Sequence, residues 1–405
     1  MSSRTKYFVV STSTCLCIML LIGSVLGRSA STDDTYKHIG VFSDVVSRIK
    51  SEYVEEPDMK SVTLGALNGM LEAIDPFASY LNAEQFKDYL KSSHVKRADV
   101  GVILSKKFGY VGVVGTITGS PAAKSGFSTG DMIETIGDVA TRDMPLAYAS
   151  MLLQGEPGTT VKLSVVRFRR PEPQTVTLTR ANFPLPSVEA KMLEGQVGYL
   201  NVDALSAPQV QELSAAVQKL QKEGARKLVV DVRNCAIGAP EDGIAAANLF
   251  MNKGRITYLM GQRVPRQNFD ADPAKAITTL PAAVLINRGT AGAAEILAAA
   301  LGDNKRAQLV GERTYGDAAL RKAITMDDGA AIILSVAKYY TPDGNKAIQD
   351  ALVTPQTAVA EPDAQVDYDD NGDPIPPPDD AQLGQPKKVE NDVVVKKALE
   401  ILAKE

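Results

Sequence analysis

Residues 286–321 read INRGTAGAAEILAAALGDNKRAQLVGERTYGDAALR, and this stretch decides the fold. It predicts an apolar strand at Ala282–Asn287, a Gly/Ala-rich turn at Gly289–Ala293 and a helix at Ala294–Leu301. A second strand follows and leads into a second glycine turn, Gly311–Gly316. Free backbone N–H groups gather where a strand turns into a helix, and such turns often hold a nucleophile or an oxyanion. The stretch therefore predicts a reaction site that is built from two turns.

Strands and helices alternate on both sides of this stretch. The strand Leu228–Asp231 is apolar without interruption, so we expect it to be buried on both faces. Helices are predicted at Ser206–Glu223 and Ile244–Phe250, and a further strand at Ala331–Ala337. This order of elements predicts an α/β core.

A different set of signals precedes the core. Gly119–Ile133 reads GSPAAKSGFSTGDMI, in which Pro121 can begin a short helix at its first position and Gly126 can end it. The segment resembles the G-S-P-A-x-x-A-G-(L/I)-x-x-G-D-x-I signature of bacterial PDZ domains. The resemblance implies a PDZ domain at residues 95–182.

PDZ domains bind an extended peptide by strand addition and hold its terminal carboxylate in a backbone nest. The resemblance places this nest at Asp99, Val100, Gly101 and Val102, beside a groove helix at Pro145–Gln154. Asp99 stands where the family usually has glycine. Its carboxylate either repels the carboxylate of the peptide or points away from it. The alternative is a structural PDZ domain that binds no peptide.

The two turns resemble the active-site region of the C-terminal processing (tail-specific) serine peptidases. In that family the first turn reads G-S-A-S-A-S-E-I and the second reads G-x-x-T-F-G-K-G-x-V-Q. Here Gly289–Ile296 reads GTAGAAEI and Gly311–Arg321 reads GERTYGDAALR. Gly69–Leu81 and Tyr340–Asn345 also resemble segments of the family. The resemblance implies an α+β multidomain chain with a crotonase-like ββα peptidase core at residues 183–358.

The resemblance also implies that the Ser–Lys dyad of the family is missing. The nucleophile position falls on Gly292, the general-base position on Asp317 and the supporting glutamine on Arg321. Glycine has no side chain with which to attack a peptide, and aspartate is already an anion at neutral pH. We therefore expect a catalytically inactive pseudopeptidase. The alternatives are an active or altered serine endopeptidase and a structural envelope protein.

Neighbouring residues bear on these alternatives. Thr290 lies early in the first turn and Lys322 lies past the second, so neither is expected to replace the dyad. Glu295 is expected to be a helix N-terminal charge that the helix dipole favours. The oxyanion loop of the family falls on the segment that contains Ile237 and Gly238. Ile237 replaces a glycine there, and a β-branched residue is poorly suited to a positive φ, which puts the loop shape in question.

Composition limits the other classes of function. The chain has 405 residues, 44% of them hydrophobic, and a formal net charge of -4, so a nucleic-acid partner is not expected. Its 2 His and 3 Cys exclude most His-dependent triads and any disulfide or zinc framework. No cofactor is expected. Asp367–Asp373 resembles the first half of a calcium loop, but Pro378 occupies the last ligand position, so no metal site is expected.

The two ends of the chain predict where it is found. Arg4 and Lys6 precede an apolar run at residues 8–26, which is typical of a cleaved secretory signal or a retained membrane anchor within residues 1–31. We expect export to the periplasm or cell envelope.

Two further segments flank the domains. A helical segment is predicted at residues 34–94, and an acidic Pro-rich disordered linker at residues 359–388.

A last amphipathic helix, within residues 389–405, is expected to dock on the core or to pair with another subunit. The expected partners of the whole chain are protein or peptide C-termini, an active peptidase or another envelope protein, and a second copy of the chain.

Overall fold

A computed structural model describes the chain at residues 31–94, 97–107, 109–167, 170–342, 344, 346–360 and 389–404. The predicted signal or anchor at residues 8–26 lies outside these residues, as do the calcium-like motif and almost all of the predicted linker. None of the helices in the described ranges is both long enough and apolar enough to cross a membrane. The chain forms two units, of which the first ends at Ala66 and the second begins at Leu67.

Helix α1 (Ser31–Glu52) belongs to the first unit, and its apolar side chains Val41 and Val45 are exposed. Helix α2 (Met59–Ile74) ends two residues before Pro76, which cannot continue a helix. A short strand and a helix follow, β1 (Ser79–Leu81) and α3 (Ala83–His94). The sequence interpretation did not include β1.

The PDZ-like sheet has the strand order β2-β3-β4-β6-β7, with β5 paired to β4. The predicted short helix is present: Pro121 stands in its first turn, and Gly126 lies just beyond its end with a φ of 72°. In the described part of the chain β2 pairs only with β3, so its outer edge is unpaired. The elements are β2 (Val102–Lys107), β3 (Tyr110–Thr116), α4 (Pro121–Lys124), β4 (Met132–Ile136), β5 (Val139–Ala140), α5 (Leu146–Leu153), β6 (Thr160–Arg167) and β7 (Arg170–Thr179).

The core contains two further sheets. The elements are β8 (Glu189–Leu193), β9 (Val197–Asn201), α6 (Ala207–Lys222), β10 (Lys227–Asp231), α7 (Pro240–Phe250), β11 (Arg255–Met260), β12 (Gln267–Asp270), β13 (Ala282–Ile286), α8 (Ala293–Asp303), β14 (Gln308–Gly311), β15 (Ala319–Thr325), β16 (Ala331–Tyr340), α9 (Ile348–Ala351), β17 (Thr357–Ala358) and α10 (Val393–Leu402), with 3₁₀ turns at Glu194–Gln196, Pro273–Lys275 and Val389–Asn391.

One core sheet has the order β17-β14-β13-β10-β9-β8, and all its strands are parallel except β8. The prediction that β10 is buried on both faces is confirmed. Leu228 and Val230 pack in one apolar cluster with α6, α7 and α8, while Val229 packs in another with α10. The α/β core predicted from the sequence is therefore present.

The other core sheet has the order β1-β16-β11-β12, with β15 also paired to β16. Strand β1 lies antiparallel to the start of β16, so Ser79–Leu81 pairs with Ala331–Ile333. A three-residue strand has too few positions to show an alternating pattern, which is why the sequence does not reveal it. The segment around β1, which precedes the PDZ-like sheet, is thereby part of a core sheet.

The C-terminal helix α10 docks on the core. Val394, Val395, Ala398 and Leu402 are buried against the sheet. Asp392 caps the helix by accepting hydrogen bonds from the N–H groups of Val394 (2.8 Å) and Val395 (3.2 Å). Its second oxygen lies 2.8 Å from Nη2 of Arg233, which also pairs with buried Asp231.

Loss of the Asp392 charge is expected to loosen α10 at neutral pH. Burial opposes ionisation, but the Arg233 guanidinium and the cap bonds hold the pKa of Asp392 below its usual value. A lowered folded-state pKa contributes stability above the unfolded pKa of about 3.9, and this stability is lost as the pH falls through the folded value. Asp392→Asn keeps an oxygen for the cap but removes the ion pair.

We expect Asp392→Asn to lower the stability of the docked helix by about 1 kcal/mol at pH 7 and by less at pH 3, where the pH approaches the lowered folded-state pKa of Asp392. Hydrogen exchange of the α10 amides at the two pH values measures this difference. Equal exchange in the variant and the native chain at pH 7 would show that the ion pair contributes nothing.

Candidate active site

The first turn of the site joins β13 to α8. Gly292 is the N-cap of α8, with a φ of 59° and a ψ of -114°. This backbone conformation strains residues with side chains and is typical of the sharp strand-to-helix turn that exposes a nucleophile. A Cβ built on Gly292 would have the carbonyl oxygen of Asp317 as its nearest neighbour, at 3.4 Å, which is an ordinary contact. The turn therefore has room for a side chain, and that side chain would face the second turn.

Glu295 holds the two turns together. Its side chain is completely buried, and Oε2 accepts hydrogen bonds from the N–H groups of Gly292 (2.9 Å) and Asp317 (2.7 Å). The other oxygen, Oε1, accepts from the N–H of Gly316 (2.7 Å) and from the hydroxyl of Thr314. One carboxylate thus sets the distance between Gly292 and Asp317, the predicted nucleophile and base positions.

The environment of Glu295 opposes its charge. Burial raises its pKa to about 7, although the hydrogen bonds from Asp317, Thr314 and Gly292 favour the anion. Glu295 lies at the N-terminus of α8, as the sequence predicts, and accepts a hydrogen bond from the N-cap amide of that helix. The sequence did not predict that the same side chain also binds the second turn or that it is fully buried.

Thr290 lies in the first turn, and its backbone carbonyl accepts a hydrogen bond from the N–H of Tyr315 in the second turn (2.9 Å), but its side chain is bonded elsewhere. Its hydroxyl donates to the carbonyl of Val232 (2.9 Å) and accepts from the N–H of Asn287 (3.0 Å), and the side chain is buried. Lys322 lies on β15 and is exposed. Neither residue is placed where a nucleophile or base of the two turns would stand.

Asp317 is paired with Arg321, one of the predicted site residues. Their side chains form an ion pair in which Nη2 of Arg321 donates to Oδ1 of Asp317. The guanidinium also lies over the ring of Phe77, 4.1 Å from its centroid. Burial raises the pKa of Asp317, whereas Arg321 opposes this rise. The general-base position therefore carries a charge-compensated pair that has no basic nitrogen free to accept a proton.

The predicted oxyanion loop packs against the first turn. Asn234 and Asn287 exchange hydrogen bonds, one from the N–H of Asn234 (3.0 Å) and one from the side-chain amide of Asn287 (3.1 Å). The left-handed residue is Asn234, with a φ of 58°, and Ile237 does not have a positive φ. Gly238 does, at 143°, and a Cβ there would lie 1.9 Å from the carbonyl oxygen of Leu205. The loop thus accommodates Ile237 by taking its positive φ at neighbouring residues.

A cavity of about 420 Å³ joins the PDZ-like groove to the Asp317 turn. Leu104 on β2 and the length of α5 line one side of it, and Asp317 and Arg321 lie on the other side. Tyr315 lies against the same cavity, because its ring packs edge-to-face on the ring of Phe77, a lining residue, with the centroids 5.9 Å apart. A peptide added to β2 would therefore run beside the second turn. The cavity lining is Phe77, Ser79, Tyr89, Ser92, Leu104, Leu146, Ala147, Ser150, Met151, Gln154, Asp317, Arg321 and Ile333.

Comparisons with known proteins agree with this arrangement. Peptidase family S41 matches residues 196–359, and the PDZ domain matches residues 112–167. A carboxy-terminal-processing protease of Bartonella bacilliformis is 31% identical over 349 residues, which cover 84% of this chain and 79% of the relative. The carboxy-terminal processing protease CtpA of Bacillus subtilis is 32% identical over 343 residues, which cover 84% of this chain and 72% of the relative. The chain belongs to the C-terminal processing peptidase family.

A solved structure supports the same assignment for the fold. The photosystem II D1 C-terminal processing protease superposes with a TM-score of 0.65 at 26% identity, and the match covers 79% of this chain and 92% of that protein. The fold predicted from the sequence, with N-terminal helices, a PDZ domain and a peptidase core, is confirmed. Membership of the family, which the two turns predicted, is confirmed as well.

In this member of the family, the structure brings Gly292, Asp317 and Arg321 together. The loop that contains Ile237 and Gly238 packs against the first turn. The predicted PDZ nest, Asp99–Val102, lies at the start of β2. It is next to the end of α5, because Ala98 pairs with Gly155. The sequence did not identify Glu295 and Tyr315 as residues that connect parts of the site. The sequence offered one indication for each residue. Glu295 falls in the first turn of α8, and Tyr315 falls where the family motif has a phenylalanine.

Proposed function

We propose that the chain is a catalytically inactive member of the C-terminal processing peptidases that holds an extended peptide through its PDZ domain in the cell envelope. The observation that carries this proposal is that Gly292 and Asp317 are held side by side, since the N–H groups of both donate to Oε2 of Glu295. The backbone of a nucleophile turn and of a base turn is present there, but the two positions carry no hydroxyl and no amine. Loss of either partner of a catalytic pair removes most of the rate of such enzymes.

Peptide binding is supported by the free edge of β2 and by the cavity beside it. Strand addition needs an unpaired edge and pockets for alternate side chains. Leu104, Leu146 and Met151 give the cavity an apolar side that suits such side chains. Export of the chain is proposed from the basic residues and the apolar run near the N-terminus.

The alternative function is an active or altered endopeptidase. Thr290 and Lys322 are the residues that such an activity would have to use, and both would need to leave their positions in the structure. A purely structural envelope protein is the second alternative, and it would bind no peptide.

The test is incubation of the purified chain with an unfolded reporter that has an accessible C-terminus, with the Bacillus subtilis relative as the positive control. We expect no cleavage and no labelling by a fluorophosphonate probe, because the turns hold no nucleophile. Turnover that disappears in Thr290→Val or Lys322→Ala would overturn the proposal in favour of an altered peptidase. Retention of peptides on the immobilised chain would refute the structural alternative.

A further inference from the structure

The nest of the PDZ domain already contains a carboxylate. Oδ1 of Asp99 accepts a hydrogen bond from the N–H of Gly101 at 2.7 Å. Gly101 has a φ of 81° and is the glycine of the predicted nest. A bound peptide carboxylate depends on the N–H groups of this turn. In this chain one of those donors is therefore satisfied from within.

The backbone holds Asp99 in place. Its N–H donates to the carbonyl of Ala181 (3.2 Å), and its own carbonyl accepts from the N–H of Ala181 (3.0 Å). The preceding residue, Ala98, is paired in the same way with Gly155 at 3.0 Å in both directions. Asp99 is therefore anchored between two strand-like partners, and its carboxylate leaves the nest only by rotation of the side chain.

The charge of Asp99 has no matching cation in the described part of the chain, where no lysine or arginine forms an ion pair with it. The residue is half-buried, so solvent screens it incompletely. A terminal carboxylate that entered the nest would meet a like charge and would compete for the N–H of Gly101. Like charges placed against each other at an interface disfavour that partner.

We infer that this PDZ domain selects extended segments that present a neutral group at the nest, and that it discriminates against a free C-terminal carboxylate. The chemical class of ligand is an internal polypeptide segment that adds to β2. This inference rests on the proposed peptide-binding function and narrows it. The free edge of β2 and the apolar side of the cavity remain available to such a segment, because neither depends on the nest.

Two randomised peptide libraries of the same composition test the inference, one ending in a free carboxylate and one in a carboxamide. Both are passed over the immobilised full-length chain, and the retained sequences are resynthesised in both forms for anisotropy measurements. We expect the amide form to bind at least about 10-fold more tightly than the acid form.

Two substitutions separate the charge of Asp99 from its hydrogen bond. Asp99→Asn keeps an acceptor for the Gly101 N–H but is neutral, so the preference for the amide is expected to shrink to near unity. Asp99→Ala frees the N–H of Gly101, so the affinity for the acid form of the peptide is expected to rise until it is at least equal to the affinity for the amide form. Thermal unfolding of each variant confirms that the PDZ domain is folded.

The outcomes are distinct. Preferential binding of the acid form by the native chain, or a preference that Asp99→Asn and Asp99→Ala leave unchanged, overturns the inference and leaves the peptide-binding function standing. Retention of no peptide from either library, by the native chain and by both variants, overturns the proposed function and the inference with it.

Discussion

A chain that carries Gly292→Ser, Asp317→Lys and Arg321→Gln is expected to react with a fluorophosphonate probe and to cleave an unfolded reporter. The native chain is expected to do neither. The three changes restore the residues that the family resemblance places at the nucleophile, base and supporting positions. We expect turnover on the order of 10³-fold above that of the native chain, since a placed nucleophile and base supply most of the rate in such enzymes.

The geometry of the two turns supports this expectation. Gly292 already has the strained conformation of a nucleophile turn, and a Cβ there meets only the carbonyl oxygen of Asp317, at 3.4 Å. The backbone of Asp317 is fixed by its hydrogen bond to Glu295, so a lysine there begins from a defined position. Arg321 has to change as well, because Asp317→Lys removes the carboxylate with which Arg321 is paired and would leave the guanidinium without that partner.

A matched control separates chemistry from strain. The variant with Gly292→Ala in place of Gly292→Ser places a side chain in the same strained backbone conformation. Its free energy of unfolding is therefore expected to fall by the same amount, about 1–3 kcal/mol, but it has no hydroxyl. It should show the same melting temperature as the serine variant and no labelling. If the serine variant is folded by this criterion and is neither labelled nor active, the assignment of Gly292 and Asp317 to the dyad positions is wrong.

The sequence predicted the local backbone of the site better than the side-chain contacts that join its two turns. The two turns, the buried β10 and the short helix that ends at Gly126 all follow from local spacing, because glycine, proline and apolar runs act on the nearby chain. The family resemblance also identified Gly292 and Asp317. Their proximity in the structure depends on the parallel pairing of β13 with β14, which the sequence interpretation did not include.

The contacts that the sequence did not reveal are those between distant segments. Glu295 was interpreted as a helix-terminal charge because the residues near it in sequence indicate no other role. Gly316 and Asp317, which donate to it, come close only when β14 is folded beside β13. Ile237 raised doubt about the loop because the family motif has a glycine at that position. The structure places the positive φ at Asn234 and Gly238, two residue types that tolerate it.

Glu295→Gln is expected to be among the most destabilising single changes in the core, at about 3 kcal/mol or more. The buried carboxylate accepts four hydrogen bonds, three from backbone N–H groups and one from the hydroxyl of Thr314. A glutamine can turn its oxygen to only one pair of these donors. Its NH₂ group then faces the other pair and leaves them buried without an acceptor, which costs the desolvation of each group.

Glu312→Gln is the matched control, because it makes the same chemical change in the same turn region at a more exposed site. Glu312 pairs with Arg288 at 3.0 Å, and the Arg288 side chain is 69% exposed, so the control should cost less than about 1 kcal/mol. Denaturant unfolding followed by circular dichroism gives the two stabilities, since the chain has no Trp. Hydrogen exchange at the amides of Gly292, Gly316 and Asp317 locates the loss. If these three amides stay as protected in Glu295→Gln as in the native chain, Glu295 does not hold the two turns together.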